Sequence, residues 1–381
     1  MKRAVRTVTA LAATTVMVLG GTPGTALAAS HGWWHIAGYT AGNSGFNPNE
    51  TTITAATVSQ VVEKGELQRP LEYGVGVPVV GAGKVFVGDK LKLCVFDEGT
   101  FYYPLCSDWT PRVARNGVPQ MVLSGDRLIS LRNQTGTGLS VLETKGLTQQ
   151  TGSTSTGEIP GVFTGLAVQG DTVLISAPGQ SITTAYRLIG LTPVWQTDVT
   201  MARSVNANGT VLLSGTRNGQ PVSEIRDIAT GAVRWSVTGR AYEALAANDA
   251  GTKFYVRWGH SLQILDAATG ALTWLASNAY PDDATITPSR VYYTSGDRVT
   301  AINGTTGAVY WTQPYQLDVR KPIVVGGVLY ITREDGGTYL VDPVTNSRLT
   351  TPMDYLGFYP PVITNGRAYV ASTLDVTVYA L

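Results

Sequence analysis

Short apolar runs, each broken by turn residues, recur along most of the chain. The run Leu262 to Leu265 is followed by the turn Asp266-Ala-Ala-Thr-Gly270, and a second run then reaches Trp274. Apolar runs of this length on both sides of a tight turn that contains Gly predict a β-hairpin. Upstream of each such hairpin lies a second pair of apolar runs separated by Gly, Asn or Ser. These pairs fall at residues 285–294, 323–332 and 362–371. Each unit therefore predicts four antiparallel strands.

The hairpin unit repeats along the second half of the chain. The acidic or amide residue at the centre of its turn falls at Asp227, Asp266, Asn303 and Asp342, a spacing of about 40 residues. A four-stranded unit at this period is typical of a propeller blade. The tryptophan side chains at the end of the motif are predicted to fill the space between neighbouring blades. The glycines that precede them are predicted to form turns. These residues are Trp195, Trp235, Trp274, Trp311, Gly231, Gly270 and Gly307.

The number of turns predicts how the repeat closes. Three more degenerate turns are placed near Asp97, Glu143 and Gly190, which gives seven hairpins in all. The chain then ends at residues 376–381, which align with the third strand of a further blade. An unpaired edge would be left there, so we expect the segment Val58 to Leu67 to supply the missing strand. The predicted fold is all-β: an eight-bladed β-propeller of four-stranded antiparallel blades, closed by N- and C-terminal strands that share the last blade.

The first residues predict a bacterial secretory signal peptide. Basic residues precede an apolar stretch, and a small-x-small site ends at Ala28. The predicted organisation is a signal peptide over 1–28, a lead-in over 29–57 and a propeller over 58–381, and the predicted location is extracellular. Without residues 1–28, 25 basic side chains face 27 acidic ones, a formal charge near −2. We therefore expect no nucleic-acid partner. No Cys stands directly after the cleavage site to carry a lipid, and the sequence has no second long apolar run, so no membrane anchor is expected.

The chain contains two cysteines, Cys94 and Cys106, which flank the first predicted turn. In an oxidising compartment a disulfide between the two hairpin arms is favoured over a reactive thiol or a metal pair.

Candidate catalytic chemistry is sparse. There are three histidines, His31, His35 and His260, and no carboxylate lies at ligand spacing beside the first two. No nucleophile-elbow motif marks a Ser partner for a triad. The adjacent acids at Asp282 and Asp283 are interpreted as part of a solvated turn. We predict no catalytic residues and no metal site.

The phrase LQILDAATGALTW, ending at Trp274, resembles the repeat of the pyrroloquinoline quinone (PQQ) propeller superfamily. Residues 34–61 are also similar to the segment that precedes the first blade in many members. This superfamily includes quinoprotein alcohol dehydrogenases and the outer-membrane assembly lipoprotein propeller. The resemblance implies eight blades. It does not imply PQQ, because the adjacent Cys-Cys pair of the dehydrogenases is absent and no residue matches their calcium ligands or catalytic Asp. No cofactor is expected, and PQQ has no support from site residues.

The residues just before each innermost strand are expected to ring one mouth of the central channel. An apolar arc of Val77, Val118 and Phe163 would face a mainly charged arc of Arg203, Glu243, Asp283 and Lys321, which ends at Pro360. Such a rim can bind a peptide or a small polar ligand. The alternative is that these side chains only cap the ends of the ring.

Together these patterns predict a secreted, non-catalytic binding or scaffold module, whose partner is an unknown protein, peptide or small polar ligand. The alternative is a quinoprotein-like or carbohydrate-acting enzyme with a site in the central funnel. A third possibility is an adhesive or assembly partner that adds a strand from another protein to a blade edge.

Overall fold

The structure is a computed structural model. It describes residues 39–67, 74–100, 104–108, 119–134, 138–147, 155–163, 165–201, 203, 205–349, 357, 359–372 and 375–381. The predicted signal peptide, His31 and His35 lie outside these residues. Within them, no helix is long and apolar enough to cross a membrane.

Eight sheets of four strands each form the molecule, and they are numbered as blades 1 to 8 in chain order. Blade 1 contains Val79–Gly81, Lys84–Gly88, Lys92–Asp97 and Leu105–Asp108, and blade 2 contains Gln120–Ser124, Arg127–Gln134, Leu139–Gly146 and Ser155–Pro160. Blade 3 contains Gly165–Gln169, Thr172–Ala177, Ile182–Arg187 and Pro193–Thr197, and blade 4 contains Asn206–Ala207, Thr210–Arg217, Gln220–Asp227 and Val233–Thr238.

The second half of the ring follows the same order. Blade 5 contains Glu243–Ala247, Lys253–Trp258, Ser261–Asp266 and Leu272–Ala276, and blade 6 contains Asp283–Ile286, Arg290–Ser295, Arg298–Asn303 and Val309–Pro314. Blade 7 contains Phe46–Asn47, Ile323–Val325, Val328–Thr332 and Thr338–Val341, and blade 8 contains Val62–Glu66, Val362–Thr364, Arg367–Ala371 and Val376–Ala380. Two short 3-10 helices, Val58–Gln60 and Pro178–Gln180, connect strands. The predicted all-β, eight-bladed fold is confirmed.

The two ends of the chain close the ring in blade 8. The strand Val62–Glu66 pairs antiparallel with Val376–Ala380, which pairs on its other side with Arg367–Ala371. An apolar cluster then joins blade 8 to blade 1, with Val376 and Val378 packed in the same layer as Val85 and Phe96. The predicted closure by residues 58–67 is thus confirmed.

The Asp-x-x-Thr-Gly phrase forms the turn between the two outer strands of a blade. In blade 5, the Asp266 carboxylate accepts hydrogen bonds from the backbone N–H of Thr269 at 2.7 Å and of Ala268 at 3.0 Å. Gly270 follows with φ +69°, a conformation that favours glycine. The same cap recurs at Asp227, Asn303 and Asp342. Hydrogen bonding within the turn, to Thr269 above all, lowers the pKa of Asp266.

Trp195, Trp235 and Trp311 pack between blades as predicted. A β-bulge precedes each of these residues in its strand, and the first two lie against the turn glycine of the next blade. A Cβ atom on Gly231 would lie 2.6 Å from the Trp195 ring, and one on Gly270 would lie 2.2 Å from the Trp235 ring. Gly thus serves both the turn and the close approach of the ring.

Three predictions need correction. Trp274 is not a wedge, because its side chain is 53% exposed and Leu275 occupies the layer between blades 5 and 6 instead. Glu143 does not mark a turn, since it is buried within the strand Leu139–Gly146, where its carboxylate lies 2.9 Å from Arg132. Asp283 is not simply solvated in a turn, because it begins a strand and takes part in an ion network.

The predicted disulfide is present. Cys94 and Cys106 are directly opposite each other on neighbouring strands of blade 1, and they are bonded. It ties the outer strand of that blade to its neighbour.

Candidate functional site

Charged side chains at one mouth of the channel form a network around Arg203. The Arg203 guanidinium lies between blades 5 and 6: Nε donates to Glu243 Oε1 at 3.1 Å, and Nη1 donates to Asp283 Oδ2 at 2.8 Å. Its Nη2 donates to the carbonyl of Asp282 at 2.5 Å. One planar side chain therefore links three neighbouring blades, a geometry that the fixed fork of Arg allows and the point charge of Lys does not.

The network extends on both sides of Arg203. Arg257 donates to Glu243, and its guanidinium also lies 3.7 Å from Asp282 Oδ1. On the other side, Lys321 Nζ lies 3.3 Å from Asp283 Oδ1. The network thus holds three cations and three carboxylates, so its net charge is close to zero.

Lys321 is the most buried cation of the network, with 10% of its side chain exposed. Burial lowers the pKa of Lys321, and the Asp283 carboxylate opposes that effect. Burial likewise disfavours the charge of Arg203, but Asp283 and Glu243 outweigh it and raise the pKa of this guanidinium. The carboxylates therefore offset the cost of burying each of these two charges.

The structure brings together four of the predicted rim residues, Arg203, Glu243, Asp283 and Lys321. Phe163 is placed elsewhere: it is 2% exposed and packs in the apolar layer between blades 2 and 3. Its backbone is held by Asn133, which donates to the Phe163 carbonyl at 2.8 Å. Val77 and Pro360 are half-buried, and Val118 lies outside the described residues. The charged arc is continuous, whereas Phe163 belongs to the core.

A segment that the sequence did not place lies along the inner strands. Residues 39–53, called the strap here, cross the axis side of blades 4 to 8. The backbone N–H groups of Asn206, Ala247, Ile286 and Val324 donate to strap carbonyls at 2.7–2.8 Å, one from each of blades 4 to 7. Phe46–Asn47 pairs parallel with the inner strand of blade 7. The Asn47 amide and the Glu50 carboxylate then bond to blade 8.

Small residues allow the strap to approach this closely. A Cβ atom on Gly42 would lie 3.3 Å from Ala247, and one on Gly45 would lie 2.6 Å from the Thr285 hydroxyl. The run Ala41-Gly42-Asn43-Ser44-Gly45 is the signal in the sequence that could have located it. Lys321 connects the strap to the charged mouth, since its Nζ also donates to the Asn43 carbonyl at 2.7 Å.

The next question is whether the described residues include metal ligands or a histidine placed for catalysis. Across the described parts of the chain, no three His, Cys, Asp or Glu side chains converge as metal ligands. The carboxylates of Glu243 and Asp283 are bonded to Arg and Lys, so a cation would have to displace these partners. His260 stacks on Tyr280 at a centroid distance of 4.1 Å on the surface.

We expect Asp283→Asn to lower the free energy of unfolding by about 1–3 kcal/mol at pH 7, because Arg203 and Lys321 lose a shared carboxylate. The same change lowers the pKa of Lys321 further. Since the folded variant then releases this proton below the pH at which the unfolded chain does, its stability deficit shrinks as pH rises toward 10. Urea unfolding at pH 7 and pH 9.5 measures both effects. Asp297→Asn, in an exposed pair 3.8 Å from Arg298, is the control and should change little.

Comparison with known proteins defines the class. Solved structures of similar fold include BamB from Moraxella catarrhalis, with a TM-score of 0.59, 17% identity, and coverage of 84% of this chain and 98% of that one. They also include a quinohemoprotein alcohol dehydrogenase from Comamonas testosteroni, with a TM-score of 0.66, 12% identity, and coverage of 93% and 81%. A europium-containing methanol dehydrogenase gives a TM-score of 0.63 at 12% identity, covering 91% and 90%. At these identities the comparison defines the fold, an eight-bladed propeller.

Residues 190–381 match the family described as outer membrane protein assembly factor BamB. The chain belongs to this family. The resemblance that the repeat carries is thereby confirmed. No curated protein matches the chain.

Proposed function

We infer that this protein is a secreted, non-catalytic propeller that binds a protein or peptide at the charged mouth of its channel. The observation that carries this proposal is that side chains and backbone of the protein itself already occupy the inner surface of the channel. The strap fills the axis side of five blades, and the carboxylates at the mouth are bonded to cations. A funnel enzyme needs these same surfaces for substrate and cofactor, whereas a binding module needs only an ordered rim.

The family supports the same inference. Its description is that of an assembly factor, a protein that acts on other proteins. At the mouth, Asp282 and Arg257 are the most exposed network members, with 56% and 35% of their side chains accessible. A partner that carries both charge signs can pair with these two groups while Arg203 and Lys321 keep the mouth rigid.

Capture from the producing culture's supernatant tests the proposal. The immobilised protein should retain a partner that the double variant Arg257→Gln, Asp282→Asn loses, and retention should weaken with salt because exposed charges are screened. The matched control is Arg298→Gln, Asp297→Asn, an exposed pair outside the network. Equal retention by all three proteins would refute a role for the mouth.

A second measurement separates the binding module from the quinoprotein-like alternative. Titration of the purified protein with PQQ and calcium, followed by absorbance, should show no saturable one-to-one complex. A stoichiometric complex would favour the enzyme and would contradict the proposal.

A further inference from the structure

Blade 5 departs from the other repeats in the position of its β-bulge. In blades 3, 4 and 6 the bulge precedes the motif Trp, which then pairs with Ala185, Ile225 or Ala301. In blade 5 the bulge follows the Trp, so Trp274 pairs with Gln263 instead. Because side chains alternate along a strand, this shift turns Trp274 to the opposite face of its sheet. The ring is thereby released from the core.

The released ring joins an aromatic surface on the side of blade 5 that faces blade 4. Trp235, Tyr242, Trp258 and Trp274 form a row with successive ring centroids 6.3 Å apart. The guanidinium of Arg240 lies 4.9 Å from the Trp258 ring and donates to the Tyr242 hydroxyl at 3.0 Å. Among the described residues, no carboxylate lies within ion-pair distance of Arg240. A cation without a carboxylate partner among the described residues thus lies on the half-buried Trp258 ring, whose neighbour is the exposed Trp274.

A buried amide lies beneath this surface. Gln263 is 0% exposed, and neither its Oε1 nor its Nε2 has a hydrogen-bond partner among the described residues. It is the direct cross-strand neighbour of Trp274 and, on the other side, of Val256, so it lies on the same face as the aromatic row. A buried amide without partners is costly, and an apolar residue of similar size would be more stable there.

We propose that Trp274, Trp258, Arg240 and Gln263 form a second ligand site, independent of the channel mouth, and that its ligand is an anionic saccharide. The exposed Trp274 face stacks on the apolar C–H face of a sugar ring, and Arg240 pairs with the sugar carboxylate. The Gln263 amide, which can donate and accept, bonds to adjacent hydroxyl groups after the Trp274 indole tilts aside on its outer strand. The saccharide thereby supplies the hydrogen-bond partners that Gln263 lacks among the described residues.

Isothermal titration with an oligogalacturonate tests this assignment, with a neutral cello-oligosaccharide and polyglutamate as comparison ligands. We expect saturable binding of the oligogalacturonate only, weakened about tenfold or more by Trp274→Ala and by Arg240→Gln. Tyr310→Ala is the matched control, because Tyr310 is 46% exposed and also stacks on an arginine, Arg290, but on blade 6. It should leave binding unchanged.

Gln263→Leu gives a second readout, which a purely structural glutamine would not show. It should raise the melting temperature, because the unsatisfied amide is gone, and lower the affinity for oligogalacturonate. Absent binding, binding that survives both Trp274→Ala and Gln263→Leu, or equal binding of the neutral sugar would overturn the proposal. Preferential binding of polyglutamate would reassign the surface to an acidic peptide and would likewise overturn it. None of these outcomes bears on the channel mouth.

Discussion

A chain that stops at Ser372 should fail to close into a ring. The deletion removes the strand Val376–Ala380, which pairs with Val62–Glu66 on one side and with Arg367–Ala371 on the other. Two strand edges are then unpaired, and the layer that joins blade 8 to blade 1 loses the buried Val376 and Val378. Since burial of one such side chain stabilises a fold by about 1.5–3 kcal/mol, the loss is comparable with the whole stability of a domain.

The expected result is therefore an aggregated or largely unfolded protein, measured by gel filtration, circular dichroism and limited proteolysis. The open edges explain why aggregation should accompany unfolding. Removal of Leu381 alone is the control, because this residue lies beyond the strand and is 43% exposed. A truncated chain that stays monomeric with an unchanged melting temperature would contradict closure by shared strands.

The fold was predictable because its signals are local. An Asp or Asn cap, followed by Thr and then by Gly or, in blade 7, by Asn346, specifies a turn within five residues. Four such turns with their flanking apolar runs define the blade and its period. Closure was predictable for a related reason, since a blade with one strand missing must be completed from the other end of the chain.

The predictions were wrong where the environment of a residue depends on strand register or on segments that are distant in the sequence. Trp274 fits the motif as well as Trp235 does, and only the displacement of one bulge exposes it. The polar residues around Glu143 are typical of a turn, but in the fold Glu143 lies opposite Ser130 within a ladder and forms an ion pair with Arg132, its diagonal neighbour on the same strand pair.

At the charged mouth, too, one part was predictable from the repeat and another part depends on distant segments of the chain. The alignment of repeats was enough to bring Arg203, Glu243 and Asp283 to one rim, because equivalent positions of neighbouring blades lie side by side. Their pairing with each other, and the contact of Lys321 with Asn43, depend on side-chain reach and on the strap. The strap itself has no repeat and little apolar content, so the hydrophobic pattern could not place it inside the ring, and its run of small residues from Ala41 to Gly45 is the signal that the sequence offers for it.

Gly326→Ala should destabilise the protein far more than Gly327→Ala, because only the first change displaces the strap. The two glycines form the two-residue turn of blade 7, with φ +56° and +73°. Either substitution carries the cost of a side chain in the left-handed region, about 1–2 kcal/mol. A Cβ atom on Gly326 would also lie 2.0 Å from the Ile53 carbonyl oxygen, whereas one on Gly327 meets nothing within 4 Å.

The clash at Gly326 adds the cost of overpacking, about 1–3 kcal/mol, and it also weakens the hydrogen bond from Ala55 N–H to the Gly326 carbonyl. The difference between the two variants in urea unfolding therefore isolates the contact with the strap from backbone strain. Protease cleavage near residue 53 should increase in Gly326→Ala alone. Equal midpoints for the two variants would mean that the strap end does not dock on blade 7. A strap that holds this turn also shapes the charged mouth, since the same segment supplies the Asn43 carbonyl to Lys321.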